Sequence, residues 1–323
     1  MGTAGRLQVR AATVADADAI TEVLDAYSRR WMGRVTTCED TIGMITKPGT
    51  DPARDTVAVI GRGGGIVGFG NIWPVPPAEL RGFARTHPVW VGHGVGAALQ
   101  KVLVARASSM AAERLEGAAD PFLTMTSSPG DEAAERLYEV FGYRPVRYFL
   151  RMRVDFATTV PPAPAPPAGI VVRPHRGAED EALFHAWVEA FAESPGYEHA
   201  DVGEWWHERR DAPEARYDPA LWHVATAGAE IAGFVIGEVR SDADGNEHGY
   251  VSDVGVRPRW RGRGIAESLL GRALRVFGDR GLPYATLDVD AENTTGAVRL
   301  YRKLGMAPRA NFTIWKRQLT TPE

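Results

Sequence analysis

At 323 residues the chain is about two domains long on the usual ~150 residues per domain, which argues against one compact core. Its 44% hydrophobic and 24% charged shares exclude wholesale disorder, and a net charge of −4 lacks the basic excess that nucleic acid or anionic lipid would demand. A single cysteine, Cys38, excludes an internal disulfide and any multi-cysteine metal centre, so no metal is expected.

From Met1 to Ala19 there is no apolar core of the roughly 7–15 residues a signal peptide needs, and no later run approaches the ~20 of a membrane span. The expectation is a cytoplasmic protein that uses neither membrane nor nucleic acid as a partner. Leu7 to Arg10 reads as a short strand followed by an acidic, alanine-rich helix pattern, and Ile66 to Phe69 as the return strand of a hairpin. Pro74, Pro76, Pro77 and Gly82 then follow, residues expected to disrupt a ladder. Ala157 to Gly169 alternates prolines with alanines and reads as a semi-rigid extended spacer.

Past the spacer, strands are expected at Ile170–Pro174, Leu221–Thr226, Glu230–Glu238 and Gly249–Val256, with helices near Glu179–Ala192 and Val202–Arg210. A long helix near Gly264–Arg280, a strand Tyr284–Val289, a helix Thr294–Leu304 stopped by Gly305 and a strand Ala310–Leu319 complete the half. Several motifs recur in order: Leu7–Arg10 as Ile170–Arg173, Ile66–Phe69 as Ile231–Phe234, and Tyr138–Gly142 as Tyr301–Gly305. Two copies of one mixed α/β sheet fold (α+β in its strand order) follow, at 1–156 and 169–323, joined by a linker at 157–168.

Arg261-Gly262-Arg263-Gly264-Ile265-Ala266 lies between a predicted strand and a predicted helix. Glycines there let successive N–H groups converge on an anion, the helix N-terminus adds partial positive charge, and a diphosphate is the natural guest. A plain strand-to-helix turn would also need glycine. Glu267 occupies the third-glycine position of a dinucleotide fingerprint, which excludes that reading.

Val254-Gly255-Val256-Arg257-Pro258, this turn, Asp290-Ala291-Glu292-Asn293 and Ala297 to Met306 together resemble the consecutive core motifs of the GCN5-related N-acetyltransferases (GNAT), and the tandem layout resembles the two-domain members of that family. The resemblance implies acetyl-CoA as cosubstrate. It implies that amides of Arg261, Gly262, Arg263, Gly264, Ile265 and Ala266 hold the diphosphate and that Val254 and Val256 pair with the pantetheine arm. The Val254 N–H would face the thioester oxygen, Asn293 would touch pantetheine or fix the helix start, and Tyr301 would protonate the departing thiolate.

Many family members carry a Glu four residues before the position of Val254; here it is Tyr250. Strand alternation places His248, Tyr250, Ser252, Val254 and Val256 on one face, so His248 could take the acceptor's proton directly, or Tyr250 and Ser252 could pass it through water. A single His at a strand edge is more often a solvated surface residue, and His248 also reads that way. Glu198, Glu204 and Trp205 fall where the family commonly forms an acceptor wall, and carboxylates with an aromatic face suit a cationic amine. Trp205 also reads as the apolar face of an amphipathic helix. In the first half Val91 and His93 replace Arg261 and Arg263, so that half is expected to be mainly structural. The leading expectation is transfer of acetyl to a small-molecule amine in the second half, by a monomer or homodimer; the competing class is a silent acyl-CoA-binding or scaffolding protein.

Overall fold

In a computed structural model, residues 7–33, 36–115, 120–157, 161–193, 201–211, 215–242, 244–291 and 296–319 are described. The chain forms two compact units, one of Met1–Tyr148 with Phe312–Glu323, the other largely of Phe149–Ser241 and Asn246–Asn311. In chain order the first contributes β1 (Gln8–Arg10), α1 (Ala17–Trp31), α2 (Cys38–Ile45), α3 (Pro52–Asp55), β2 (Thr56–Ile60), β3 (Ile66–Val75) and β4 (Glu79–Thr86). It continues with α4 (Val95–Arg114), β5 (Phe122–Ser127), α5 (Glu132–Val140) and the start of β6 (Arg144–Asp155). The second unit holds β7 (Val171–Pro174), α6 (Asp180–Phe191), α7 (Val202–Trp206), β8 (Trp222–Ala227), β9 (Glu230–Ser241) and β10 (Glu247–Val256). α8 (Ile265–Asp279), β11 (Tyr284–Asp290), α9 (Ala297–Lys303) and β12 (Ala307–Gln318) follow.

The first unit is completed by a strand from the end of the chain, and the second by the strand that precedes the proline-rich segment. In the first, the order is β1-β2-β3-β4-β5-β12, and Thr313 to Gln318 of β12 pair antiparallel with Ser127 to Phe122 of β5. In the second it is β6-β11-β10-β9-β8-β7, and Phe149 to Asp155 of β6 pair with Asp290 to Tyr284 of β11. The last strand expected from sequence is therefore present, but it closes the sheet of the first copy. Trp315 and Leu319 are buried in the core of β2, β4, β5 and α4, where the Trp315 indole donates to Ser127 Oγ at 3.0 Å. Met152 and Val154 are buried with α8, β10 and β11.

The other differences have local causes. Pro74 and Val75 lie at the end of β3 opposite Leu80 and Glu79, so the prolines form the hairpin turn and the ladder continues unbroken to Thr86. Pro164 is not a free spacer residue. Its carbonyl accepts from Ser268 Oγ of α8 at 3.0 Å, and a side chain at Gly271 would strike its ring. The helix expected at Val202–Arg210 is α-helical to Trp206 and then a π turn over His207–Asp211.

α6, α7 and β8 bury an aromatic cluster in which Trp205 touches Phe184, Trp187, Trp206 and Trp222. His223 of β8 is 2% exposed, and burial lowers its pKa to about 4, with Arg272 adding to the shift. The unfolded chain takes up that proton near pH 6.5. The contribution of a neutral His223 is thus complete above pH 6.5 and falls away toward pH 4, by about 2 kcal/mol at pH 4.5. Urea melts at pH 7 and 4.5 should show His223→Gln losing less stability than wild type on acidification; equal losses would refute this.

Candidate functional site

Parallel pairing between β10 and β11 covers Gly249↔Ala285, Tyr250↔Thr286 and Val251↔Leu287 and then stops, although β10 runs on to Val256 and β11 to Asp290. The strands part into a fork. On its other edge β10 stays paired with β9 to Val256↔Gly233, and the Arg257 N–H donates to Ala232 O at 3.0 Å. Antiparallel strands alternate hydrogen-bonded with non-bonded pairs, so the N–H and C=O of Val254 and Val256 turn away from β9 and into the fork. A strand-like ligand arm therefore finds main-chain partners there in Val254 and in the Val256 N–H, the Val256 carbonyl already accepting from Arg261 Nε.

A bulge at Ser252 shifts the register, because Val251 pairs with Gly237 whereas Asp253 pairs with Ile236. Strict alternation is thereby corrected. A Cβ on Gly249 would strike Phe277 of α8, whereas one on Gly255 would strike Phe234 and meet Ala190 of α6. Tyr250 and Asp253 consequently share the α6 face, and Val254 and Val256 lie on the α8 face. Asp253 accepts from the Trp187 indole at 2.9 Å and from Arg209 of the π turn at 3.5 Å, tying α6 and that turn to the strand just before Val254.

β10 leads into the glycine turn. Gly262 and Gly264 have φ of +75° and +83°, a region that disfavours any residue with a Cβ, and Gly264 caps α8. The first amides of α8 follow directly on this turn and have no carbonyl partners within the helix. Arg261 is committed elsewhere: its guanidinium donates to Val256 O at 3.2 Å and Ala190 O at 3.0 Å and pairs with Glu193 at 2.9 Å. It buttresses the turn. Arg263 is exposed; its guanidinium donates to Arg259 O at 3.4 Å and lies 4.8 Å from the Trp260 ring centre.

Tyr301 of α9 is buried in the same cluster against which Val254 and Val256 pack. Burial pushes its hydroxyl up to about 12, and among the described residues that hydroxyl makes no hydrogen bond. It is held as a neutral phenol. Tyr250 is likewise pushed up to about 12 by burial; its hydroxyl donates to Asp288 Oδ2 at 3.3 Å, while Arg240 covers its ring at 3.5 Å.

Val254 and Val256 pack against the buried cluster that includes Tyr301, and β10 leads into the turn, while other expected residues lie elsewhere. His248 is 7% exposed and stacks on Tyr284 with centroids 4.6 Å apart, not at a solvated edge. It lies about 20 Å along β10 from Val254, too far for direct proton transfer to an acceptor at the fork. Trp205, 3% exposed, packs in the aromatic core because the apolar side of its helix faces inward. Glu204 is exposed on α7, while Glu198 and Asn293 fall outside the described residues.

The first unit repeats the turn but not the opening. Gly92 and Gly94 have φ of +83° and +85°. Parallel pairing of β4 with β5 ends at Arg81↔Thr124. Arg85 then fills the gap: its Nη1 donates to Ala84 O at 2.8 Å and to Thr126 O at 3.4 Å, and its guanidinium lies over Tyr27. Position 85 corresponds to Gly255 by the alignment of the two turns, and Tyr138, the counterpart of Tyr301, also donates to Thr126 O, at 3.5 Å. Arg85, not the upstream prolines, closes that fork. Sequence reading missed both Arg85 and Asp288; for Asp288 the available signal was an acid between Leu287 and Val289 within a buried strand pattern.

Among the described residues no cluster of three His, Cys, Asp or Glu side chains could hold a metal ion, and no helix is long and apolar enough to cross a membrane. Residues 181–306 match the model of the acetyltransferase (GNAT) family. A mycothiol acetyltransferase of Nocardia farcinica is 31% identical over 303 residues, covering 90% of this chain and 91% of the relative. A GCN5-related N-acetyltransferase from Sphaerobacter thermophilus superposes with a TM-score of 0.74 at 29% identity, over 97% of this chain and 95% of that one. A tandem GNAT protein from the clavulanic acid biosynthesis pathway does so with a TM-score of 0.69 at 16% identity, over 98% and 100%.

Proposed function

Because this chain belongs to the GNAT acetyltransferase family in its tandem form, and is thereby an acetyl-CoA-dependent N-acetyltransferase, we propose that its second unit carries catalysis, with a primary amine of a small molecule as acceptor. One observation carries the assignment: among the described residues no side chain is seen to bridge β10 and β11 beyond Val251 and Leu287, whereas the corresponding fork of the first unit is bridged by Arg85. The mycothiol acetyltransferases among the relatives support a small-molecule acceptor.

The fork and the turn fit the cosubstrate. Val254 and Val256 offer main-chain groups to the pantetheine arm, and the amides from Gly262 to Ala266 offer donors to its diphosphate. An arriving ammonium first loses a proton to solvent, and its nitrogen then attacks the thioester carbonyl. The Val254 N–H stabilises the oxyanion. As the C–S bond breaks, Tyr301 gives its proton to the sulfur and is restored by the second proton leaving the new amide nitrogen. The residues thus do their work with a backbone amide, a phenol and solvent.

The test is incubation of the full chain with acetyl-CoA and a set of primary amines, following free thiol. Turnover above the rate of acetyl-CoA hydrolysis is expected with at least one amine. Tight acetyl-CoA binding without turnover of any amine would overturn this reading in favour of a silent acyl-CoA-binding protein.

A further inference from the structure

Resting on that reading, we propose that Asp288, held by Arg151, is the carboxylate on which the acceptor's amino group docks. β10 and β11 part after Val251 and Leu287, and Asp288 is the first β11 residue beyond that point. Alternation along β11 puts it on the side of Thr286, whose register partner is Tyr250, and the Tyr250 hydroxyl donates to it. It therefore stands at the mouth of the fork on the α6 face. Opposite it in the antiparallel register is Arg151 of β6, whose Nε donates to Oδ1 at 2.9 Å and whose Nη2 donates to Oδ2 at 2.8 Å.

A carboxylate offers about four lone-pair directions. Arg151 takes one on each oxygen and Tyr250 takes the second on Oδ2, which leaves one direction on Oδ1. The side chain is 26% exposed, so the carboxylate is not sealed from solvent. Of the two other carboxylates on this face, Asp253 is 7% exposed beneath Trp187 and Arg209, and Glu238, whose Oε1 receives both Nε and Nη2 of Arg240, lies on β9, across β10 from the fork. Where the family often places a Glu, this chain has a phenol that aims its proton at Asp288, so the acceptor-facing carboxylate has moved one strand over.

The Arg151–Asp288 and Arg240–Glu238 pairs cancel in net charge. Attraction therefore comes from a directed hydrogen bond, which favours an ammonium carrying N–H over a quaternary cation. If the pair served only to fasten β6 to β11, its loss would lower stability and leave acceptor affinity alone.

The experiment uses the full chain with saturating acetyl-CoA and glucosamine, cysteamine, an amino-acid amide and spermidine as probes, following free thiol. For whichever amine turns over, Asp288→Asn should raise KM tenfold or more, as expected for losing a charge-assisted hydrogen bond. The Kd for acetyl-CoA should stay within twofold, and Asp288→Glu should recover part of the affinity. If Asn beside Arg151 prevents folding, the neutral pair Asp288→Asn with Arg151→Gln should fold and show the same rise. An unchanged KM in a folded variant overturns the docking while acetyl transfer stands. No turnover of any probe by the wild-type protein overturns the acetyl-transfer reading and the docking with it.

Discussion

Tyr301→Phe should lower kcat by about 100-fold or more, the low end for loss of a positioned general acid, while the Kd for acetyl-CoA stays within twofold. The ring is buried and Phe refills it, and among the described residues the hydroxyl makes no hydrogen bond that the substitution would break. Stability is therefore nearly untouched, and the loss falls on proton delivery to the departing sulfur. Tyr138→Phe is the matched comparison. That tyrosine occupies the equivalent helix in the first unit, where its hydroxyl faces Thr126 O beside the Arg85 bridge. Its rate should stay within twofold of wild type. Equal losses in both variants, or none in Tyr301→Phe, would remove the acid from the second unit. Initial rates with saturating amine, alongside calorimetric titration of acetyl-CoA, separate these results.

The second large effect concerns β12. Trp315→Ala should cost the first unit about 3–5 kcal/mol, the usual penalty for emptying a buried tryptophan site. A chain shortened to end at Asn311 should leave β5 with an unpaired edge. Against a typical domain stability of about 5–15 kcal/mol, loss of the whole strand is enough to unfold that unit. Hydrogen exchange resolved strand by strand provides the measurement. In the shortened chain protection should vanish from β2 to β5 and persist in β8 to β11. Loss concentrated in β11 instead would contradict the observed pairing.

Much of the second unit could be read from sequence because its signals are local. Alternating apolar residues, a glycine stop at Gly305 and a glycine-bearing turn at Gly262 and Gly264 act within a few residues of where they stand. Val254 and Val256 followed by that turn marked the end of β10 for the same reason. The bulge at Ser252 was invisible: one extra residue leaves a strand looking like a strand, yet it moved Asp253 and Val254 to the faces opposite those expected. The fate of β12 was equally hidden, since the hydrophobic pattern of Phe312 to Leu319 fits either of two homologous sheets. Arg85 and Asp288 owe their significance to groups distant in sequence, Thr126 for the one and Arg151 for the other, a relation no single-chain periodicity carries. His248 and Trp205 went astray through burial, because a strand end and an amphipathic helix give no sign of what will pack over them.

The exchange of closing strands also sets an order of assembly during translation. Domains usually fold as they emerge, N-terminal part first. Here residues 8–127 leave the ribosome early, but β12, which finishes their sheet, is translated after β7 to β11. β6, by contrast, is already made when β11 appears to receive it. The first copy to be synthesised is thus the last to be finished, and until then the outer edge of β5 stands open to whatever strand meets it.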